Sequence, residues 1–156
     1  MKILLFDKQK NYRLTTRKLL SKQGHNVLTA ARWSEALQKM ERHIIHVVIL
    51  GVQLADGEGI AALKQIKSRF PLVQTIILAE PDAIDIAMKG LELGAADYLI
   101  KPAGIEEIVQ KVEESLDRRR RLEQKIRAAQ IEVLERQFIN KAVELNNQLS
   151  SETISH

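Results

Sequence analysis

Cysteine is absent from this 156-residue chain, which excludes a disulfide framework and thiolate chemistry and makes a reducing compartment the natural setting. Aromatic residues are scarce too, at 4% against 45% hydrophobic residues, so the core has to be built from aliphatic side chains. No apolar run approaches the length of a membrane span, and Ile3-Leu4-Leu5-Phe6 is too short for a signal peptide. A soluble, cytoplasmic protein without membrane contact is expected. Gly51, Gly57 and Gly59 are not followed by Gly-Lys-Ser/Thr, so they form a turn and not a phosphate loop. No Ser-His-Asp arrangement is readable, and nothing marks the chain as an enzyme.

What is present is enough for one domain of ordinary size and an appendage. The net charge of +4 is carried by residues 1–100, which hold 14 Lys+Arg against 10 Asp+Glu, while residues 101–156 hold 10 of each. So mild an excess is a weak argument for nucleic acid, and none is expected to bind this chain.

Buried-strand runs alternate with amphipathic segments. Residues 3–6 read as a strand entering the polar loop Asp7-Lys8-Gln9-Lys10. A helix over about 11–23 follows, with Asn11 as N-cap, Leu14, Leu19 and Leu20 facing inward, and Gly24 as its stop. Further strands are expected at 27–30, 46–50, 74–78 and 98–100, and helices from Ser34 to Arg42, near 59–69, and from Asp82 to Gly94. Five strands alternating with helices at this spacing give a parallel sheet covered on both faces.

From Gly104 to Leu149 there is neither glycine nor proline, and helix formers dominate. A helix of that length reaches roughly 65 Å at 1.5 Å per residue, beyond a compact domain. Ile105, Ile108, Val109, Val112 and Leu116 pack on the sheet in this reading. Beyond them Leu122, Ile126, Ala129 and Val133 recur at spacings of 4, 3 and 4, and Leu134, Phe138, Ala142, Leu145 and Leu149 form a second set out of phase. The pattern reads as a coiled-coil seam with a stutter, which buries itself by homodimerisation. The run Arg118-Arg119-Arg120-Arg121 reads as a solvated or interchain-paired junction, with Glu113, Glu114 and Glu123 one turn away. The expected division is 1–118 for the globular domain, 119–149 for the coiled-coil extension and 150–156 for a disordered tail.

Three stretches name a family: Ile3-Leu4-Leu5-Phe6-Asp7, Val47-Val48-Ile49-Leu50, and Gly94-Ala95-Ala96-Asp97-Tyr98-Leu99-Ile100-Lys101-Pro102. On these residues the chain resembles the receiver domain of two-component response regulators over roughly positions 1–120. The resemblance implies a doubly wound α/β, flavodoxin-like fold with strand order 2-1-3-4-5. It also implies a pocket at the strand ends. There, an aspartate on strand 3 takes a phosphoryl group and two acids after strand 1 help hold Mg²⁺. A hydroxyl after strand 4 and a lysine on strand 5 bind the phosphate, and an aromatic three residues before that lysine reports the state.

Carried onto this sequence, the phosphoacceptor position is Gly51, which has no side chain. Asp7 matches the first acid, but Lys8 stands where the second would be, and its ammonium opposes cation binding. Ala79 takes the hydroxyl position and cannot bond a phosphate. Lys101 is kept, and Tyr98 sits at the switch-aromatic position. Asp56 is the one nearby carboxylate that could substitute as acceptor. Asp7, Lys8 and Lys101 are instead expected to pair with one another inside the pocket. No metal or cofactor is expected: His43 and His46 are three apart but flank a helix–strand junction with no third ligand.

The function these residues imply is a non-catalytic pseudo-receiver, a phosphorylation-independent interaction and dimerisation module in bacterial-type signalling. The alternatives are the front half of a larger transcription regulator, and a receiver phosphorylated on a surrogate residue. A flavodoxin-like ligand binder would need a glycine- or hydroxyl-rich loop after strand 1, which Asp7-Lys8-Gln9-Lys10 is not.

Overall fold

The computed structural model describes residues 1–53 and 57–154. The chain divides into two compact units, Met1–Arg120 and Arg121–His156. In the first, strands and helices alternate: β1 (Lys2–Phe6), α1 (Lys10–Lys22), β2 (Asn26–Ala30), α2 (Trp33–Arg42), β3 (Val47–Val52), α3 (Gly57–Arg69), β4 (Gln74–Ala79), a 3₁₀ turn at Pro81–Ala83, α4 (Ile84–Glu92) and β5 (Asp97–Ile100). The last helix, α5 (Ile105–Ile154), runs 50 residues.

All strand pairs are parallel and their order is β2-β1-β3-β4-β5, the doubly wound arrangement. Because successive strand residues face opposite ways, each apolar run feeds two cores at once. Leu4, Phe6, Val48, Leu50 and Ile77 point toward α2, α3 and α4, where they meet Ala36, Met40, Leu63, Ile66 and Ala87. Ile3, Leu5, Val47, Ile49 and Leu78 point the other way, toward Leu20 of α1 and Ile108, Val112 and Leu116 of α5. Phe6 and Trp33 make a ring–ring contact in this core, edge to face at 6.3 Å. The rest is aliphatic, as the aromatic scarcity required.

Four local expectations are corrected. Helix α1 starts one residue early with Gln9 as N-cap and no side-chain cap, so Asn11 plays no capping role. The Gln9 N–H is instead taken by Asp7 Oδ1 at 2.7 Å. Thr16 and Leu20, one turn apart, set the buried face of α1, and Leu14 and Leu19 lie outside it, 48% and 36% exposed. A helix stripe is only about 100° wide, so three leucines at 14, 19 and 20 cannot all share it. Strand β3 continues through Val52, which puts Gly51 inside the strand, opposite Leu78 of β4. Helix α5 continues to Ile154 where a disordered tail was expected from Ser150; with no glycine or proline in the way, the backbone hydrogen bonds simply carry on. Gly24 does end α1 in the left-handed conformation, at φ +90°, that favours glycine at this position.

In the second unit the large apolar side chains among the described residues are exposed. Leu122, Ile126, Val133, Leu134, Phe138, Leu145 and Leu149 are all exposed, Phe138 to 76%.

Candidate functional site

The carboxyl ends of β1, β3, β4 and β5 bring Asp7, Gly51, Ala79 and Lys101 together. Each is positioned by the sheet ladder. The Asp7 N–H extends it to Ala30 O at 3.1 Å, and the Lys101 N–H extends it to Ala79 O at 2.9 Å. Asp7 and Lys101 are buried, with side chains 2% and 8% exposed, and Lys101 Nζ lies 2.7 Å from Asp7 Oδ2. The remaining Lys101 donors are met by Gln9 Oε1 at 2.9 Å and Glu80 Oε1 at 3.3 Å. The ammonium also sits 4.3 Å from the centre of the Tyr12 ring. An ammonium has three N–H donors, so this one is saturated. Asp7 is equally committed: Oδ1 accepts the Gln9 N–H, Oδ2 meets Lys101, and its carbonyl accepts from Arg13 Nη1 at 2.8 Å.

Gly51 faces this pair directly. A Cβ there would stand 2.7 Å from Asp7 Oδ2 and 3.0 Å from Phe6 O, closer than ordinary contact. The Asp7 carboxylate therefore occupies the volume that a side chain at position 51 would enter. Lys101 has turned to Asp7 and Glu80, the acids that are present. Ala79 is fully buried and contributes only a methyl group.

Lys8 was expected in the pocket; its side chain is about 40% exposed and pairs with Glu58 at the start of α3, 3.3 Å away. Asp56 lies outside the described residues. Tyr98 is partly buried against the α2–α3–α4 core. The Lys111 ammonium lies 5.0 Å from its ring centre and also holds Tyr98 O at 2.8 Å and Asp97 at 3.0 Å.

Three pocket members escaped sequence reasoning: Gln9, Tyr12 and Glu80. Gln9 follows the end of β1 by three residues, Glu80 follows the end of β4 by one, and Tyr12 lies in the first turn of α1, so only the fold makes them neighbours of Lys101. Burial pushes the Tyr12 phenol above its usual pKa, with the carboxylates of Asp7, Glu80 and Glu107 adding to the rise and Thr16 opposing it. Chemically, the cluster is two carboxylates and one ammonium that satisfy each other. Among the described residues no group of three His, Asp or Glu side chains could hold a metal ion. His46 Nδ1 accepts the Lys2 N–H and His43 Nδ1 accepts from Lys2 Nζ, both at 3.1 Å, so the two histidines serve one lysine.

Two of the four arginines in the run 118–121 are anchors, not a solvated junction. Arg119 is buried and its Nη1 donates to Ile45 O at 2.7 Å; Arg118 Nη1 donates to Ala96 O at 3.3 Å. Arg120 pairs with Asp117 at 3.2 Å. At 3.6 residues per turn, Leu122, Ile126, Ala129 and Val133 span about 60° of α5. Leu134, Phe138, Ala142, Leu145 and Leu149 centre about 150° away on the same continuous helix. A stutter shifts a seam by only about 50°. The two sets are separate stripes on nearly opposite faces, and a single stuttered seam does not join them.

A profile of the response regulator receiver domain matches residues 3–113. Among curated proteins, the transcriptional regulatory protein ZraR of Escherichia coli (strain K12) is 31% identical over 114 residues, covering 73% of this chain and 26% of ZraR. The alginate biosynthesis transcriptional regulatory protein AlgB of Pseudomonas syringae pv. tomato is 30% identical over 107 residues, 69% of this chain and 24% of its own. This chain thus spans about a quarter of the length of these relatives. A response regulator receiver domain protein from Clostridium thermocellum superposes with a TM-score of 0.73 at 28% identity, covering 78% of this chain and 98% of that one.

Proposed function

The chain belongs to the response regulator receiver family, and from that premise we propose that it is a pseudo-receiver that no longer accepts phosphate. It works as a non-catalytic, cytoplasmic module for protein–protein interaction and dimerisation in signal transduction. The observation that carries this reading is the Lys101–Asp7 pair, closed at 2.7 Å over the place where the phosphoacceptor side chain would stand. In a phosphorylating receiver the new charge biases a two-state equilibrium. Here the lysine that would answer that charge is already saturated by Asp7, Gln9 and Glu80. The domain is held in one state by its own acids.

Self-association supplies the second half of the reading. The stripe Leu122–Val133 and the stripe Leu134–Leu149 are both exposed along α5, and apolar rows of this length are covered in solution by other helices. Incubation with acetyl phosphate and Mg²⁺, followed by intact-mass measurement, tests the first half: no phosphate adduct is expected, and a stoichiometric one, on Asp56 or elsewhere, overturns it. Light scattering tests the second half. A full-length dimer that becomes monomeric on truncation after residue 118 supports it, and a full-length monomer refutes it.

A second reading is favoured by the relatives, whose names call them transcriptional regulators and of which this chain matches about a quarter. In that reading the receiver and its helix are the regulatory front of a longer protein. A reading frame that continues past His156 into a further domain would establish it.

A further inference from the structure

At the opposite end of the sheet from the Lys101 pocket, the connections entering β3 and β4 enclose a cleft of about 400 Å³. This falls in the size range of small-molecule sites, roughly 300–1,000 Å³. Its floor is apolar and buried: Met40, Ile45 and Val73. Phe70 and Leu72 form one side, and Arg119 forms the other with its Nη1 fixed on Ile45 O. Ile44 stands at the edge, 72% exposed, an isoleucine left in water beside an apolar hollow.

The rim is cationic. Arg42, in the last turn of α2, is exposed and makes no ion pair among the described residues. The one carboxylate on the rim, Glu41, is already bound to Arg69 Nη2 at 2.8 Å. Lys2 adds a further ammonium through its contact with His43. An apolar body fits the floor, and a negative head group complements Arg42 and Arg119; a cation at the same place would face these two arginines, with the rim's one carboxylate, Glu41, already paired to Arg69. A concave site of this volume suits a small molecule better than a flat protein face does. We propose that this cleft binds a small anionic amphiphile, a medium-chain carboxylate in chemical class, with Arg42 and Arg119 at its head group. Bound there, it would rest on the arginine that ties α5 to the entrance of β3. The site is independent of the phosphorylation pocket.

The experiment is a titration of the ¹⁵N-labelled full chain with decanoate below its micelle-forming concentration, with decyltrimethylammonium as the matched cation. Saturable shift changes at residues 40–45, at 70–73 and at Arg119 are expected with decanoate, and none there with the cation. Arg42→Glu should weaken decanoate binding at least tenfold, while Arg42→Lys, which keeps the charge, should weaken it less than threefold. Both changes are at an exposed side chain, and an unchanged spectrum elsewhere confirms that each variant folds. Equal saturation by the cation, shifts confined to the exposed apolar residues of 121–149, or no saturable change at the cleft would each overturn the proposal.

Discussion

The two units of this chain handle unsatisfied groups in opposite ways. In Met1–Arg120, the pocket at the strand ends is closed on itself: one ammonium, that of Lys101, meets two carboxylates and an amide at hydrogen-bond distance. In Arg121–His156, a helix carries two apolar stripes whose described side chains are exposed. Buried polar groups are costly when unpaired, so a pocket that loses a partner either repacks its charges or unfolds. Exposed leucines cost little in isolation but gain on association. The site that resembles a switch is therefore internally complete, and the surface that asks for a partner is elsewhere.

The comparison is broken most severely on the helix. Phe138→Glu together with Ile126→Glu, one charge in each stripe, should abolish self-association by light scattering while leaving the unfolding of the receiver unit in denaturant unchanged. If the mass stays that of the assembly, the stripes are not the interface. Next in size is the pocket lysine. Lys101→Met leaves Asp7 and Glu80 facing each other without a cation, and loss of one partner from a buried pair costs about 3–5 kcal/mol. The midpoint of urea unfolding should fall accordingly, and a change below about 1 kcal/mol would show that the pair holds nothing together.

Gly51 sharpens the same point at smaller cost. Gly51→Ala drives a methyl group against the Asp7 carboxylate, and overpacking of this kind costs about 1–3 kcal/mol. The cost should be less in an Asp7→Ala background, so the double-mutant cycle should show coupling between positions 7 and 51. For the same reason Gly51→Asp alone should not restore phosphate uptake. The smallest effect belongs to Lys8, whose exposed pair with Glu58 is worth less than about 1 kcal/mol. Lys8→Ala should leave stability nearly unchanged, most clearly at high salt.

Much of the fold was legible because fully buried strands announce themselves. Residues 3–6, 47–50 and 76–78 are continuous apolar runs, and the sheet buries both faces of each. Helix α1 was not legible in the same way. Its leucines at 14 and 19 suggested an inward face that Thr16 and Leu20 hold instead, since a threonine can complete a stripe that apolar counting skips. At the site, the losses at Gly51 and Ala79 could be read residue by residue. Lys8 was placed in the pocket by adjacency to Asp7, yet its ammonium meets Glu58 of α3, 50 positions later in the chain. Arg119 looked like one member of a charged run, although its burial depends on a carbonyl at Ile45, 74 positions earlier.

The strand and helix inventory, the glycine at position 51 and a long helix at the C-terminal end were readable in the sequence, because each is a matter of local pattern, propensity or the identity of one residue. How the pocket at the strand ends closes was settled by the fold. Gln9, Glu80 and Lys101 are up to 92 positions apart, and their meeting depends on parallel strands ending at one edge of the sheet. The same edge placed the Asp7 carboxylate where a side chain at 51 would have been, and closed the pocket from within.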